Sequence, residues 1–404
     1  MTPLLLALTI ALPSRVITVA PGTAVPAVAL ALAEARDGDT ILVRRGTYRE
    51  SRLVVSHRVV LMGEGRPVLD GGGEPVLLVR ADSVTIRGFV IENVGPSSTE
   101  DRAAIRLDGV TGCVVAGNEI RAAFFGIYAA RAAGCRISDN RIVGTGAGQS
   151  RNANGIHLYA SRGFIVTGNE VAHHRDGIYL EFGRRAVIEG NTSSGNTRYG
   201  LHFMFSDSCA YHDNIFRGNR AGVAVMYSGV VDMTGNTFAE ARGPAAYGLL
   251  LKELRASRLE GNHFEDNTVA LFVDGSDRLA ARRNDFVRNG WAVRLLASAD
   301  AGRFEENRFA GNAFDVTTNS RQSSTRFRGN YWDRYDGHDL DHDGTGDVPF
   351  RPMRLFGLIV AQHPPAVLLL NSFFVSLLDT AERVAPVIGP ETPVDSAPRM
   401  RWSR

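Results

Sequence analysis

The stretch that decides the fold is GLHFMFSDSCAYHDNIFRGNRAGVAVMYSGVVDMTGNTFAE, residues 200–240, because its pattern repeats after about 22 residues. An Asn that usually follows Gly or Asp, and in most repeats has a bulky apolar residue two positions later, recurs at Asn118, Asn140, Asn169, Asn191, Asn214, Asn236, Asn262, Asn284, Asn307 and Asn330. The steps are 22, 29, 22, 23, 22, 26, 22, 23 and 23 residues, and insertions at 144–153 and 242–245 account for the two long steps. A regular period of this length predicts a solenoid of stacked repeats.

Within each repeat the residue types alternate as they do in β-strands. The residues five and three positions before the Asn are apolar or small, such as Phe164 and Val166, and the residues between and after them are mostly polar. A second turn Asn recurs at Asn196, Asn219, Asn267, Asn289 and Asn312, and a third strand then opens with Gly. Three short strands per period predict an all-β fold, a right-handed single-stranded parallel β-helix, whose equivalent side chains stack about 4.8 Å apart.

The two ends of the chain do not follow the repeat. Residues 1–12 form an apolar run too short to span a bilayer, and the run is typical of a signal peptide, although no Arg or Lys precedes it. Residues 25–36 have the pattern of an amphipathic helix, which we expect to cover the first coil. The expected organisation is a signal peptide (1–14), an N-terminal cap with the first coils (15–75), the parallel β-helix (76–350), an apolar helical C-terminal extension (351–385) and a flexible Pro-rich tail (386–404).

The composition argues against two classes of function. The formal net charge of +2 gives a nucleic-acid partner no electrostatic support. No run after the N-terminus reaches 18 uninterrupted apolar residues, so we expect the mature chain to be soluble or peripheral to a membrane. The three cysteines do not predict a disulfide framework, and Cys113 and Cys135 are expected to be buried free thiols. His173 and His174 lie in a predicted turn and are expected to be exposed.

The register of the third strand fixes which of its side chains face outward, because the residue after the Gly points inward and the pattern alternates from there. The outward pairs, coil by coil, are Tyr128/Ala130, His157/Tyr159, Tyr179/Glu181, His202/Met204, Ala224/Met226 and Leu250/Lys252. An outward face is normally charged, whereas this column carries two Met, two His and three Tyr. We therefore take it as the main candidate for a functional surface.

The column places soft metal ligands side by side. Met204 and Met226 occupy the same outward position on neighbouring coils, and His202 lies two residues from Met204 on the same face. Thioether sulfur and imidazole nitrogen suit Cu(I), a soft ion that tolerates two or three ligands. The pattern is also typical of a hydrophobic patch that binds a partner protein without any metal. The remaining outward residues are expected to contact partners, namely His157, Tyr159, Tyr179, Glu181 and Lys252.

An acidic segment near the C-terminus has the spacing of a calcium loop. Its carboxylates stand at loop positions 1, 3, 5 and 9, with Gly344 at position 6. Phe350 occupies position 12, where such a loop needs a bidentate Glu, so an ordinary Asp- and Gly-rich turn is the alternative. The predicted calcium ligands are Asp339, Asp341, Asp343 and Asp347.

Several of these motifs resemble the NosD family, exported β-helix proteins that help to mature the copper sites of nitrous oxide reductase. The resemblance covers essentially the whole mature chain and is most specific at NGIHLY (154–159), GLHFMFS (200–206), AGVAVMYS (221–228), GLLLKE (248–253), GNYWD (329–333), YDGHDLD (335–341) and GDVPF (346–350). It implies a periplasmic accessory protein, not an enzyme, that works with an ABC transporter whose membrane subunit would receive the C-terminal region. It also implies a copper-delivering lipoprotein and apo nitrous oxide reductase as partners, with Cu(I) held only transiently.

Two other functions remain open at this point. Secreted β-helices are often polysaccharide lyases or epimerases, or bind carbohydrate, and such enzymes need clustered acidic calcium ligands or a base beside Arg or Lys. The outward column offers Glu181 and Lys252 but no clustered carboxylates beside them, and we predict no catalytic residue. The third possibility is a passive scaffold whose outward face only binds partner proteins.

Overall fold

In the computed structural model the chain is described over residues 14–146, 152–296, 298–319, 324–370, 372–384 and 393–402. The predicted right-handed parallel β-helix is confirmed, because successive coils supply their strands in turn to three parallel sheets of 14, 13 and 12 strands. Apart from residue 14, the expected signal peptide lies outside the described residues.

The three sheets run along the solenoid, and their strands are short. Sheet A contains Val16–Val19, Thr40–Val43, Val60–Gly63, Thr85–Arg87, Val114–Ala116, Arg136–Ser138, Ile165–Thr167, Val187–Glu189, Ala210–His212, Asp232–Thr234, Arg258–Glu260, Ala280–Arg282, Arg303–Glu305 and Arg326–Arg328. Sheet B contains Thr47–Tyr48, Val68–Asp70, Val90–Val94, Glu119–Ala123, Arg141–Val143, Glu170–Ala172, Thr192–Ser194, Ile215–Arg217, Thr237–Ala239, His263–Glu265, Asp285–Val287, Arg308–Ala310 and Tyr331–Trp332. Sheet C contains Leu53–Val55, Leu77–Val79, Ala103–Asp108, Phe125–Ala130, Asn154–Tyr159, Asp176–Glu181, Tyr199–Met204, Ala221–Met226, Tyr247–Lys252, Val269–Asp274, Trp291–Leu295 and Phe314–Thr318.

An aromatic stack fills the core of the later coils. Successive ring centroids in it lie 4.1 to 5.6 Å apart, and every ring is buried. Burying each large apolar side chain stabilises the fold by about 1.5–3 kcal/mol, and a shift of one residue would turn the whole stack toward solvent. The stack therefore fixes the register of Phe216, Phe238, Phe264, Phe286, Phe309 and Trp332.

The repeating Asn forms a second, polar ladder inside the turns. Asn214 Oδ1 accepts a hydrogen bond from the backbone N–H of Asn191 at 2.9 Å and another from its side-chain amide at 3.0 Å. Asn214 Nδ2 in turn donates to the backbone oxygen of Ile188 at 2.9 Å. All ten members of the series are buried. The ladder thus satisfies turn backbone groups that water cannot reach.

The ladder ends on an acidic residue from the far end of the chain. The buried carboxylate of Asp395 accepts hydrogen bonds from Gly329 N at 3.1 Å, Asn330 N at 3.0 Å, Asn330 Nδ2 at 2.9 Å and Trp332 Nε1 at 3.1 Å. Asp395 therefore stands where the next ladder Asn would stand. This corrects the predicted flexible tail over residues 393–402, because the carboxylate supplies the acceptors that the last coil lacks. The remaining residues of that tail lie outside the described residues.

Helices cover both ends of the solenoid, as the sequence predicts. Helix α1, Val28–Glu34, buries Val28, Ala31 and Leu32 over the first coil. Helix α2, Leu355–Gln362, the 3-10 helix Pro364–Leu369 and helix α3, Phe373–Val384, form the C-terminal extension. Phe356 of α2 packs against Phe314 of the last sheet C strand, with ring centroids 6.1 Å apart. None of the helices in the described residues combines the length and apolarity needed to cross a bilayer.

The cysteine prediction is confirmed, whereas the prediction for His174 is wrong. Cys113, Cys135 and Cys209 are buried free thiols. His174 is fully buried, and its backbone N–H donates to Asn196 Oδ1 at 3.0 Å. His174 thus occupies the position of the second turn Asn in its coil, which turns its ring inward. His173, by contrast, is exposed as expected.

We expect the substitution Asp395→Ala to destabilise the last coils, because it leaves several buried donors without an acceptor. Each such donor costs about 1–3 kcal/mol, and we expect a loss of about 2–4 kcal/mol in the free energy of unfolding. Urea denaturation followed by Trp fluorescence measures the effect. The matched variant Asp395→Asn keeps an acceptor oxygen and should lose less. Equal urea midpoints for Asp395→Ala and the wild type would contradict this role.

The stability of the fold should fall in mild acid because of His174. Burial lowers the pKa of His174 to about 4 from its ordinary value of 6.5. The unfolded chain therefore binds a proton near pH 6.5 that the folded chain excludes, and stability present above pH 6.5 is lost as the pH falls toward 4. At pH 5 this linkage amounts to about 2 kcal/mol. Urea titrations at pH 7 and pH 5 should show a smaller acid loss for His174→Asn than for the wild type.

Candidate functional site

The outward column of sheet C has the register that the sequence predicts. Its first row pairs Tyr128 with His157, His157 with Tyr179 and Tyr179 with His202. The second row, two residues further along each strand, pairs Glu181 with Met204, Met204 with Met226 and Met226 with Lys252. The two sulfur-bearing side chains thus lie on the same wall, on adjacent strands about 4.8 Å apart.

The first row is a column of stacked rings that solvent barely reaches. Ring centroids are 4.8 Å apart for Tyr128 and His157, 4.7 Å for His157 and Tyr179, and 4.5 Å for Tyr179 and His202. His157 is 7% exposed and His202 is 3% exposed. The sequence predicted an outward face open to partners, and the structure corrects this for His157 and Tyr179, which are mostly covered, whereas Tyr159, Glu181 and Lys252 are partly exposed.

The cover comes from residues that stand just before the Gly of each strand. Phe125 lies beside His157 and Tyr199 beside His202, with ring centroids 5.7 and 4.7 Å apart. The coils approach closely at this Gly: a Cβ at Gly177 would lie 2.6 Å from the backbone oxygen of Gly200. The strand pairing also skips the Gly, since Tyr199 pairs with Ala221 and Leu201 with Val223. The sequence did contain this signal, since a bulky or polar residue repeatedly precedes the Gly.

A buried ion pair that the sequence pattern does not predict supports His202. Asp176 is fully buried, and Arg198 donates to it through Nε at 2.7 Å and through Nη2. Burial acts to raise the pKa of Asp176, but Arg198 and His202 outweigh it and hold that pKa below its ordinary value. His202 Nδ1 lies 3.5 Å from Asp176 Oδ2, which is long for a hydrogen bond but electrostatically favourable. The carboxylate therefore orients the imidazole.

Both ring nitrogens of His202 are buried without a hydrogen-bond partner. Burial lowers the pKa of His202, and the nearby Asp176 only partly opposes this. Nε2 of His202 is buried and has no hydrogen-bond partner. Leaving a polar atom in that state costs about 1–3 kcal/mol, so an unpaired buried nitrogen is worth explaining. A metal ion would use its lone pair.

His157 has a different set of partners. Its Nδ1 lies 3.4 Å from the side-chain amide of Asn154, and its Nε2 lies 3.8 Å from Glu181 Oε2. Burial lowers the pKa of His157, whereas the contact with His157 lowers the pKa of Glu181. The Glu181 carboxylate thus belongs to a local polar network and does not stand beside Asp176 as one of two catalytic carboxylates.

An exposed aromatic stripe borders the methionines. Phe182, Phe205 and Tyr227 are 49, 46 and 41% exposed, and they stack with centroids 5.3 and 5.1 Å apart. Their backbones are left-handed, with φ of 53, 51 and 52°, a conformation that is unusual for bulky residues. The repeat pattern alone does not predict this stripe, although each ring directly follows Glu181, Met204 or Met226 in the chain.

The acidic loop brings together three of its four predicted ligands. Carboxylate oxygens of Asp339, Asp341 and Asp347 lie within 4.8 Å of one another. Asp343 stands apart from this group, and its Oδ1 accepts the backbone N–H of Thr345 at 2.6 Å. Asp339 also accepts backbone N–H groups, from Asp343 at 3.1 Å and Gly344 at 3.0 Å. These bonds are those of a tight turn, and calcium binding stays a prediction.

Comparison with known proteins shows which protein family the chain resembles along most of its length. Residues 145–337 match the family model described as periplasmic copper-binding protein (NosD). A protein named "Probable ABC transporter binding protein NosD" from Pseudomonas aeruginosa is 33% identical over 368 residues, which are 86% of this chain and 85% of that protein. A protein of the same name from Stutzerimonas stutzeri is 29% identical over 377 residues, or 88% of this chain and 85% of that one.

Among solved structures, the catalytic unit of a GH87 α-1,3-glucanase from Streptomyces thermodiastaticus strain HF3-3 superposes with a TM-score of 0.66. It is 16% identical and covers 80% of this chain and 70% of its own, so the likeness concerns the fold alone. The relative from Pseudomonas aeruginosa is similar along most of both chains, and on that ground this chain belongs to the NosD family.

Proposed function

We propose that this chain is a periplasmic accessory protein that works with an ABC transporter to assemble the copper centres of nitrous oxide reductase, and that it holds Cu(I) transiently at His202, Met204 and Met226. The observation that carries the site is the buried, unpaired Nε2 of His202 on the same wall as the Met204–Met226 pair. One imidazole and two thioethers are few, soft and exchangeable ligands, which suits an ion that must leave again.

The neighbours of His202 fit the role of a supporting shell. Metal-binding imidazoles usually direct their second nitrogen at a carboxylate, which fixes the ring and leaves the other nitrogen for the metal. Asp176 faces Nδ1 of His202 in this way, and Arg198 anchors Asp176. In this proposal Asp176 and Arg198 are positioning residues, while His202 supplies the nitrogen ligand.

The names of the relatives support the copper and transporter parts of the proposal. The family model describes periplasmic copper-binding proteins, and both relatives are named as ABC transporter binding proteins. We place the transporter contact on the C-terminal extension, because it exposes large apolar side chains: Leu368 is 87% and Phe373 is 83% exposed. Exposed apolar clusters of this kind mark interaction sites.

The aromatic stripe is the proposed docking surface for the partner that exchanges Cu(I), for which the family resemblance implies a copper-delivering lipoprotein and apo nitrous oxide reductase. A partner seated on Phe182, Phe205 and Tyr227 would also cover the adjacent Met204 and Met226. Tyr159, Glu181 and Lys252 are partly exposed at the ends of the second row and would form the polar rim of the same surface.

A polysaccharide-active enzyme is the less favoured reading. Its chemistry needs a base and a charge-neutralising group that a polymer can reach. Asp176, His157 and His202 are buried beneath neighbouring side chains, and Asp176 is already paired with Arg198. The passive scaffold is the remaining alternative, and the experiment below separates it from copper handling.

Replacing all three ligands should abolish copper binding without unfolding the chain. For the variant His202→Asn/Met204→Leu/Met226→Leu we expect at least about a tenfold loss of Cu(I) affinity in competition with a chromogenic chelator. Met233→Leu is the matched control, because Met233 is fully buried inside the solenoid. Circular dichroism should show unchanged strand content in both variants.

The same variant tests the role in assembly. Reductase produced in cells that carry the triple variant should contain less copper than reductase from cells with the wild type or Met233→Leu. Normal copper loading with the triple variant would remove the proposed site. Loss of partner binding, together with no Cu(I) binding by the wild type, would favour the passive scaffold.

The stripe should matter for docking and not for copper affinity. We expect Phe182→Asn/Phe205→Asn/Tyr227→Asn to weaken binding of the Cu(I)-exchanging partner while leaving Cu(I) affinity unchanged, because Asn tolerates the left-handed backbone and the rings are not ligands. Val230→Asn is the matched control, since Val230 is also left-handed and 62% exposed, and it lies three residues after Tyr227 in the same connection without belonging to the ring stack. Surface plasmon resonance measures the binding, and equal affinities for the stripe variant and the control would contradict the docking role.

A further inference from the structure

A second group of metal-ligating side chains lies on the outer face of sheet A. Glu189 and His212 are partners on neighbouring strands, and Asp213 follows His212. Nδ1 of His212 lies 3.7 Å from Oε1 of Glu189 and 3.7 Å from Oδ2 of Asp213. The donor atoms of all three residues lie within 4.8 Å of one another. One imidazole nitrogen and two carboxylates thus face the same point.

The separations suit a shared ion better than hydrogen bonds. A hydrogen bond between nitrogen and oxygen spans about 2.7–3.2 Å, and both contacts of Nδ1 are longer. Two ligands bound tetrahedrally to one ion at about 2.0–2.2 Å lie about 3.4 Å apart. The side chains of Glu189 and Asp213 are 49 and 71% exposed, so they have room to make this small adjustment.

The charges around this group are unbalanced. In the part of the chain that the structure describes, no Arg or Lys nitrogen lies within 4.0 Å of the carboxylate of Glu189 or Asp213. Other acids on the outer face of sheet A do have such partners, as Asp232 has Arg258 at 2.6 Å. Two negative charges therefore flank one imidazole without a neighbouring cation, and a divalent ion would balance them.

A group on sheet B contains the same residue types, but its carboxylates are paired with arginines. His263 Nδ1 forms a hydrogen bond of 3.2 Å with Asp285, and its Nε2 lies 3.6 Å from Glu265. Arg308 pairs with Asp285 at 3.2 Å, and Arg288 pairs with Glu265. The charges of this group are already neutralised within the protein, which makes it a matched control.

We propose that Glu189, His212 and Asp213 bind a divalent transition-metal ion of borderline softness, of the class of Zn²⁺ or Cu²⁺. Imidazole with carboxylate ligands suits such ions, whereas thioethers select Cu(I). The site lies on sheet A and the Met204–Met226 pair lies on sheet C, so the two sites occupy different outer faces and differ in ligand chemistry. The three protein ligands leave at least one coordination position for water.

The test is a calorimetric titration of the full chain with Zn²⁺, carried out in excess Ca²⁺ so that the acidic loop at 339–347 does not contribute. We expect the wild type to bind one Zn²⁺ at this site, and Glu189→Gln, His212→Ala and Asp213→Asn each to weaken it at least about tenfold. Asp213→Asn is the safest of these for folding, because Asn accepts the left-handed backbone at this position, φ 56°.

Two controls keep the outcome clear. His263→Ala should bind Zn²⁺ as the wild type does, and so should the variant that lacks His202, Met204 and Met226. The second control also makes this inference independent of the proposed copper site. Absence of Zn²⁺ binding by the wild type, or unchanged binding in a folded Asp213→Asn variant, would overturn the inference.

Discussion

The in-phase stacking of successive coils is the constraint on which the rest of the molecule depends. Each ladder Asn bridges two coils through both its oxygen and its nitrogen, as Asn191 and Asn214 do, and so ties turn to turn in the interior. The aromatic stack holds the same register through apolar burial. Because both ladders demand that equivalent residues coincide, every outward position also becomes a column. A functional surface on such a fold is built by changing a few members of a column.

The columns explain how one narrow solenoid can present different chemistries on different walls. Sheet C carries rings, imidazoles and thioethers, while sheet A carries charged pairs such as Asp232–Arg258 and the group formed by Glu189, His212 and Asp213. The turns between sheet C and sheet A are held by a series of serines, as Ser206 Oγ accepts the N–H of Gly183 at 2.9 Å and Ser228 Oγ accepts the N–H of Ser206 at 3.0 Å. Soft and borderline ligand sets therefore stay apart in space, although His202 and His212 are only ten residues apart in sequence.

Much of this could be predicted from the sequence, because a period of 22 residues and an alternation of two residues are local properties. They give the coil, the register and the placement of Met204 beside Met226. They do not reveal the contacts of a distant segment or of residues at the edge of a strand. Asp395 ends a ladder 65 residues upstream, and Tyr199, just before the Gly of its strand, packs against His202. His174 looks like a surface residue until the register of the second turn assigns it to the interior.

The side chains on sheet C lie at different depths, and this difference would set the order in which an arriving ion meets them. His202 is covered by Tyr179 and Tyr199, whereas Met204 and Met226 are partly exposed, so an arriving Cu(I) would meet sulfur before nitrogen. At the proposed site, two partly exposed thioethers and a covered imidazole would therefore offer the ion a shallow path for both entry and release. The neighbouring rings keep left-handed backbones that cost roughly 1–2 kcal/mol each, although they remain exposed. The same conformation recurs at Arg131, Ala160 and Glu253 in the equivalent turns, so the cost belongs to the turn of the coil and not to the rings themselves.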